Sequence, residues 1–425
     1  MSEQRISRDR SKVLRVIVVV AQLLVGSLFI FSGLTKGIDP TGTAIKIGDY
    51  AVAFGMPVAS DFAMALALIL NLFEATLGFM VLVGMIPRVS KLLLLVIMIP
   101  MTLLTLYVAL FNPVADCGCF GDALKISNGA TFGKNVVLLS LAFMLHRHEE
   151  LWWRLLPPEY EVFAALVSGG VVFLFNLYPL RHLPAIDFRS YKVGASLYEL
   201  TVGGAKEGVY DYQYIYERDG VEKSFSMDEL GDVDSTWTFV RDETVELTPP
   251  VMAPGADFIL TYESGASPMP ELIDTTSGYH LLYFLADLEQ MEEPQLRLGL
   301  ELQQATQEPV WLVMSSTWST LDTPPYDELT RQYSARLFLD RSTALTAVRT
   351  QPGLMVVHDG VILRKLSGRD LMALIQGGET EKILSPVSKQ ELNERRKTAF
   401  APIIIWSTAL LMLGYGLKRQ RKKHT

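Results

Sequence analysis

Residues 16–33 read VIVVVAQLLVGSLFIFSG, a run without a single charged side chain. A bilayer core about 30 Å thick takes roughly 20 apolar residues of helix, so this run predicts a membrane span. Arg5, Arg8, Arg10, Lys12 and Arg15 precede it. Lys and Arg are enriched in cytoplasmic flanks, which places segment 1–15 in the cytoplasm. Lys36 and Asp39 follow Gly33 without a small-x-small cleavage site, so the run reads as a retained span and not a leader.

Working outward, five further apolar runs occupy 62–86, 92–114, 132–145, 162–180 and 399–417. The run 132–145 is short and carries Lys134 near its start; a buried or interfacial helix is its competing reading. Arg88 and Lys91 follow the second run, Arg147 and Arg154 follow the fourth, and Lys418, Arg419, Arg421, Lys422 and Lys423 fill the tail 418–425. Even alternation puts all these groups, and both termini, on the cytoplasmic face. Loops 36–61 and 115–131 then lie outside, together with the stretch from 181 to about 397. In the first loop Ile45, Ile47, Tyr50, Ala51, Val52 and Phe54 predict a short helix, lying in the interface or seated on the bundle.

Composition agrees. The 425 residues are 49% hydrophobic and 20% charged, with mean hydropathy +0.25, more apolar than a soluble chain of this length. Disorder is excluded by that content, and a disulfide-stapled scaffold by the presence of two cysteines. Between Pro184 and Gln390 there are 32 acidic and 16 basic residues, a net −16 that leaves +8 on the rest of a chain of net charge −8. Such sorting suits one part against anionic lipid and another in water. No basic patch with interleaved aromatics occurs in the soluble part, which argues against nucleic acid. The expected partners are the lipid bilayer and a protein met by the outer domain.

Both cysteines fall in Asp116-Cys117-Gly118-Cys119-Phe120-Gly121-Asp122. A bridge needs Cα atoms about 4.4–6.8 Å apart, and Gly118 makes the required bend accessible. So small a ring closes almost no chain, which makes it a poor staple, and a strained disulfide is readily reduced. Three readings stand: a redox pair, two inert thiols, or a soft-metal site aided by Met56. The absence of a nearby His weakens a zinc site, and no other metal cluster is evident. Asp116 and Asp122 are expected to raise a neighbouring thiol pKa. Glu74 sits mid-span, where an ionisable group costs about 2.5–3.5 kcal/mol on insertion scales and needs a partner. Asn71 shares its helix face, and Lys36 and Lys134 are the candidate partners. Glu74 then serves either as an interhelical clamp or as a proton or cofactor contact near the cysteines.

The outer region divides in two. Alternating stretches at 210–216, 236–240 and 258–262 predict a β-rich subdomain over 184–270. Over 275–378 a strongly apolar run at 279–286, a charged helical stretch at 287–308, a buried strand at 309–315, a helix at 326–333 and a strand at 335–339 lead to Gln351-Pro352. A hairpin turning at Asp359-Gly360 and a helix at 369–375 follow. This order resembles a thioredoxin fold, with Gln351-Pro352 near where that fold keeps a cis proline. The place of its C-x-x-C is taken by Ser316-Thr317-Trp318-Ser319-Thr320, which excludes a redox-active thioredoxin.

Ser32-Gly33-Leu34-Thr35-Lys36, Asp39-Pro40, Glu74 and Cys117-Gly118-Cys119-Phe120-Gly121 together resemble DoxX-like membrane proteins, nearest to the MauE branch named for methylamine utilisation. The resemblance covers about 12–150, with the four-helix membrane domain at 16–147. It implies a helical unit that assists electron transfer or disulfide formation at the outer face, in the general manner of DsbB and VKOR-type oxidoreductases. Cys117 and Cys119 would be its redox pair, with Glu74 and Lys36 as bundle residues beside it. A quinone enters only through that analogy; no cofactor motif is evident, and the second cysteine pair of DsbB-type enzymes is missing. The expected fold is thus an α-helical membrane bundle, four helices plus two further spans, carrying a soluble α+β extracytoplasmic domain. The expected place is the inner membrane of a bacterial envelope. The residues do not decide between a thiol-disulfide or electron-transfer protein and a non-enzymatic scaffold whose outer domain recruits a partner.

Overall fold

The computed structural model describes residues 2–424 apart from 57, 115, 289–291, 322 and 325, with side chains 2–10, 232, 245, 418 and 420–424 also outside the description. The flanking Arg5, Arg8, Arg10, Lys418, Arg421, Lys422 and Lys423 side chains therefore lie outside it. So does the 289–291 part of the expected helix 287–308.

The membrane part contains α1 (Ser2–Ile38), α2 (Pro40–Ala53), α3 (Ser60–Val83), α4 (Pro87–Phe111), α5 (Asn128–Arg147) and α6 (Pro158–Leu177). Among the described residues six helices are long and apolar enough to cross a membrane: all of these except α2, and the C-terminal helix Lys389–His424. The fourth apolar run, extended to Asn128–Arg147, is one of them. The chain is a multi-pass integral membrane protein. α1 and α3 approach so closely that a Cβ on Gly33 would sit 2.4 Å from Ala75 N and one on Gly78 2.5 Å from Ile30 N. Between lipid-embedded helices such small residues supply the close fit that hydrophobicity cannot. α2 is capped by Asp39, whose Oδ1 accepts from Gly42 N at 3.0 Å. It lies on the bundle, with Ala44 against Ala63 and Ala67 of α3, and leaves Val52 and Phe54 exposed.

Beyond α6 come β1 (Val209–Arg218), β2 (Val221–Ser226) and β3 (Thr238–Thr248), an antiparallel sheet of order β2-β1-β3. Tyr216, Phe225, Trp237 and Phe239 meet edge-to-face across it, with centroids 5.2–5.8 Å apart. The expected strand at 258–262 is reduced to β4 (Thr261–Tyr262) and pairs elsewhere. It joins a six-stranded sheet after α7 (Met269–Ile273), so the β-rich stretch 184–270 serves two sheets.

That second sheet is built from β5 (Tyr279–Leu285), α8 (Glu293–Thr306), β6 (Val310–Met314), α9 (Trp318–Leu321), α10 (Tyr326–Thr330), β7 (Ala335–Phe338), α11 (Arg341–Val348), β8 (Gly353–His358), β9 (Val361–Ser367) and α12 (Gly368–Gln376). Its order is β4-β7-β6-β5-β8-β9. β5, β6 and β7 run parallel, and β8 and β9 antiparallel to their neighbours. Alternate residues of β5 and β6 enter two separate cores. Leu282, Phe284, Trp311 and Val313 face one, and Leu281, Tyr283, Leu285 and Leu312 the other. A strand covered on both faces reads as a continuous apolar run, which is why period two is invisible at 279–285. The Gln351–Pro352 peptide is cis, and the β8–β9 turn takes Asp359 at φ 50° and Gly360 at φ 74°, the positive values a two-residue hairpin turn requires. Ser316–Thr320 follows β6, the second parallel strand. β5 has one parallel neighbour, β6, and one antiparallel neighbour, β8. α13 (Lys389–His424) returns the chain to the membrane.

The α+β part sits on the end of the bundle that carries α2 and the cysteine loop. Arg349, in the left-handed region at the C-terminus of α11, sends Nε to Asp39 Oδ2 and Nη2 to Asp122 Oδ2, both at 2.8 Å. Its side chain is 3% exposed. The opposite end carries the Lys91–Glu149 and Arg154–Glu161 pairs.

Candidate functional site

The loop between α4 and α5 is shaped by its small and acidic residues. Gly118 takes φ 64° and Gly121 φ 56°, values that an L side chain resists. Asp116 Oδ1 accepts from Gly118 N at 3.0 Å and so closes the bend. Cys117 Sγ and Cys119 Sγ come to 3.0 Å as free thiols sharing a hydrogen bond. Their environments differ. Cys117 is half-buried, with the Thr131 hydroxyl 3.5 Å from its sulfur. Cys119 is buried.

Electrostatics separates them further. The hydrogen bond between the two sulfurs brings the Cys117 pKa down to about 6 from the ordinary 9.0; burial opposes this, and Thr131 and the Lys134 charge add to it. The same hydrogen bond, and then burial, push Cys119 up. The sequence expectation that Asp116 and Asp122 would raise the thiols is overturned for Cys117. Each acid is held by a cation: Asp116 by Lys46 at 3.1 Å, and Asp122 by Arg349 at 2.8 Å. A cation beside a carboxylate offsets part of its field on a neighbour.

Behind the loop lies the buried pair Lys36–Glu74. Lys36 Nζ reaches both carboxylate oxygens of Glu74, at 2.8 and 2.7 Å. The Ser32 hydroxyl stands 2.8 Å from Glu74 Oε2 and 2.7 Å from the Cys119 carbonyl oxygen. Glu74 is thus clamped between helices by Lys36 and reaches the cysteine loop through Ser32. Lys36, and not Lys134, takes the carboxylate; Lys134 Nζ lies 4.7 Å over the Phe120 ring. Asn71 is fully buried, yet its amide finds no partner among the described residues. Met56 is exposed beyond the end of α2, and among the described residues no group of three or more His, Cys, Asp or Glu is placed to hold a metal.

Lys46, Tyr50, Thr131 and Arg349 were not singled out from the sequence as members of this site. The Tyr50 phenol donates to the Cys117 carbonyl at 3.3 Å. Burial, then the nearby thiols, push its pKa up and keep it a donor. Ser32 stood in the quoted Ser-Gly-Leu-Thr-Lys motif, but nothing in the sequence tied it to the cysteine loop.

Lys36, Glu74, Cys119, Phe120, Lys134 and Asn135 border a cavity of about 40 Å³.

Comparison with known families bears on two stretches. Residues 14–147 match methylamine utilisation protein MauE, and residues 210–247 match a domain of unknown function, DUF8463. No curated protein matches, and no solved structure does. The match to MauE spans α1 to α5 and includes the Cys-Gly-Cys loop with Lys36 and Glu74, so the chain is an integral membrane protein that is MauE-like over that region.

Proposed function

We propose that the chain exchanges thiols and disulfides with a partner protein at the outer face of the inner membrane, through Cys117 and Cys119. The observation that carries this reading is the asymmetry of the pair: two sulfurs 3.0 Å apart, one drawn toward thiolate and the other held as thiol. The thiolate is the attacking species in such exchange. Cys117 attacks a partner disulfide, whose S–S bond breaks as a mixed disulfide forms. The departing partner sulfur takes up the Cys119 proton. Cys119 then attacks Cys117 Sγ, closes the internal disulfide and releases the second partner sulfur as thiolate. Two electrons pass from the pair to the partner. The same steps reversed oxidise a partner dithiol.

The basic residues Arg88, Lys91, Arg147 and Arg154 at the end away from the α+β part support an orientation with that part outside. The strand order around β5 and the turn into β8 support reading 275–378 as a thioredoxin-like module. Without cysteines, it serves partner recognition and not chemistry. The non-enzymatic scaffold is the alternative. A membrane-impermeant maleimide applied to intact cells, before and after mild reduction, separates the two. A pair that is labelled from outside and whose labelling rises after reduction supports exchange. A pair that stays fully reduced, with Cys117→Ser and Cys119→Ser lacking any phenotype, makes the protein a scaffold.

A further inference from the structure

A second cavity, of about 190 Å³, lies where the connection after α6 passes the start of α13. It is bordered by five cations, Arg189, Lys192, Lys365, Arg395 and Arg396, against one acid, Asp187. This is the reverse of the surrounding part of the chain, which carries twice as many acids as bases. Two of the cations are deeply buried, Arg189 at 6% and Lys365 at 3% exposure. Asp187 is shared between them: Oδ1 accepts from Arg189 Nε at 2.9 Å and Oδ2 from Lys365 Nζ at 2.5 Å. Arg189 Nη1 donates to the Thr346 carbonyl, while Nη2 is buried with no acceptor among the described residues. A buried guanidinium N–H without a partner is costly, and one carboxylate does not neutralise the group. Burial, and then the Arg189 charge, lower the Lys365 pKa to about 8. Arg395 is held by Glu391 at 2.8 Å, and Lys192 and Arg396 are exposed at the rim.

Position narrows the ligand. One wall follows the span that ends at Leu180, and the other belongs to the first turns of the span Lys389–Leu417. Leu183, Ile186 and Leu392 add apolar surface beside the cations. Charge-assisted donors converging on a small pocket, with Arg geometry suited to paired oxygens, describe a phosphate site.

We propose that this cavity binds a phosphate group, its buried and unpartnered Arg189 Nη2 as the inner donor and Lys192 and Arg396 closing over it from the rim. Its depth at the membrane border makes an anionic lipid head group the source, with free phosphate as the other.

The full-length protein, stripped of lipid in a zwitterionic detergent, is titrated with phosphatidylglycerol and followed by native mass spectrometry. Inorganic phosphate is added in parallel, with thermal unfolding as the readout. Wild type is expected to retain phosphatidylglycerol, with Kd raised about tenfold or more in K192Q/R396Q through loss of two charge-assisted contacts. R189Q is expected to lose the lipid altogether. The rim variant changes only exposed side chains, so it keeps the test open should R189Q not fold. Phosphatidylglycerol bound and not displaced by phosphate supports a lipid source. Displacement by phosphate, with a thermal shift that the rim variant loses, supports the same site with a soluble source. Equal retention of phosphatidylglycerol by wild type and K192Q/R396Q, or no response to either probe, overturns the proposal.

Discussion

Replacing Cys119 by Ala removes the thiol hydrogen-bonded to Cys117, and the consequence can be worked out. With Cys117 near pKa 6, about nine-tenths of it is thiolate at pH 7. Returned to the ordinary 9.0, it is about 1% thiolate. Nucleophilicity moves the other way: with a Brønsted coefficient of about 0.45, three pKa units make the thiolate itself roughly twentyfold more reactive. The two effects combine to a rate at pH 7 only about fourfold below wild type. Above pH 9, where both proteins are ionised, the variant is about twentyfold faster. The profiles therefore cross between these limits. The assay is stopped-flow reaction of Cys117 with an aromatic disulfide from pH 5 to 10, in detergent and after full reduction. A wild-type midpoint near 9, or a C119A midpoint still near 6, refutes the claim that the hydrogen bond between the sulfurs sets the reactivity.

Lys36→Met strands the buried Glu74 carboxylate and is expected to cost about 3–5 kcal/mol. Thermal unfolding in detergent reads the loss, and Lys36→Met with Glu74→Leu is expected to recover most of it. Gly118→Ala places a side chain at φ 64° and 3.2 Å from Lys46 Cγ, costing about 1–2 kcal/mol in the loop; slower closure of the Cys117–Cys119 disulfide under a mild oxidant is the readout. Arg349→Met frees Asp122 beside the loop. An unpaired anion there favours the neutral thiol, so the Cys117 ionisation midpoint is expected to rise, and hydrogen exchange of 116–122 to quicken.

The membrane part was legible because burial in lipid leaves an unambiguous trace: runs such as 16–33 are apolar whichever helix they face. Glu74 was legible as a residue in need of a partner, since an ionised group at that depth cannot stand alone. Its choice of Lys36 over Lys134 was not, because both lie near the ends of apolar runs and only the α1–α3 approach at Gly33 decides between them. The strand at 279–286 was visible as an apolar run, but its place in the centre of the sheet was not. The fold sets β5 between β6 and β8. The contribution of Arg349 was invisible for a simpler reason. It lies 310 residues from Asp39, and nothing local marks one arginine of an acidic domain as the counter-ion of a membrane loop.

That contact changes how the Cys-Gly-Cys loop is understood. Taken alone, Asp116-Cys117-Gly118-Cys119-Phe120-Gly121-Asp122 surrounds two thiols with negative charge and predicts sluggish chemistry. In the folded chain the two acids are answered from different places: Asp116 by Lys46 of α2, and Asp122 by Arg349 of the α+β part. Asp39, which caps α2, binds the same arginine. One guanidinium thus fixes the helix over the loop and neutralises the acid at its end. Removing the α+β part would take the Arg349 counter-ion from Asp39 and Asp122 together, and under the proposed exchange the Cys117 ionisation midpoint is expected to rise as in Arg349→Met. The α+β part thus supplies, through Arg349, the counter-ion of one acid of the loop it covers.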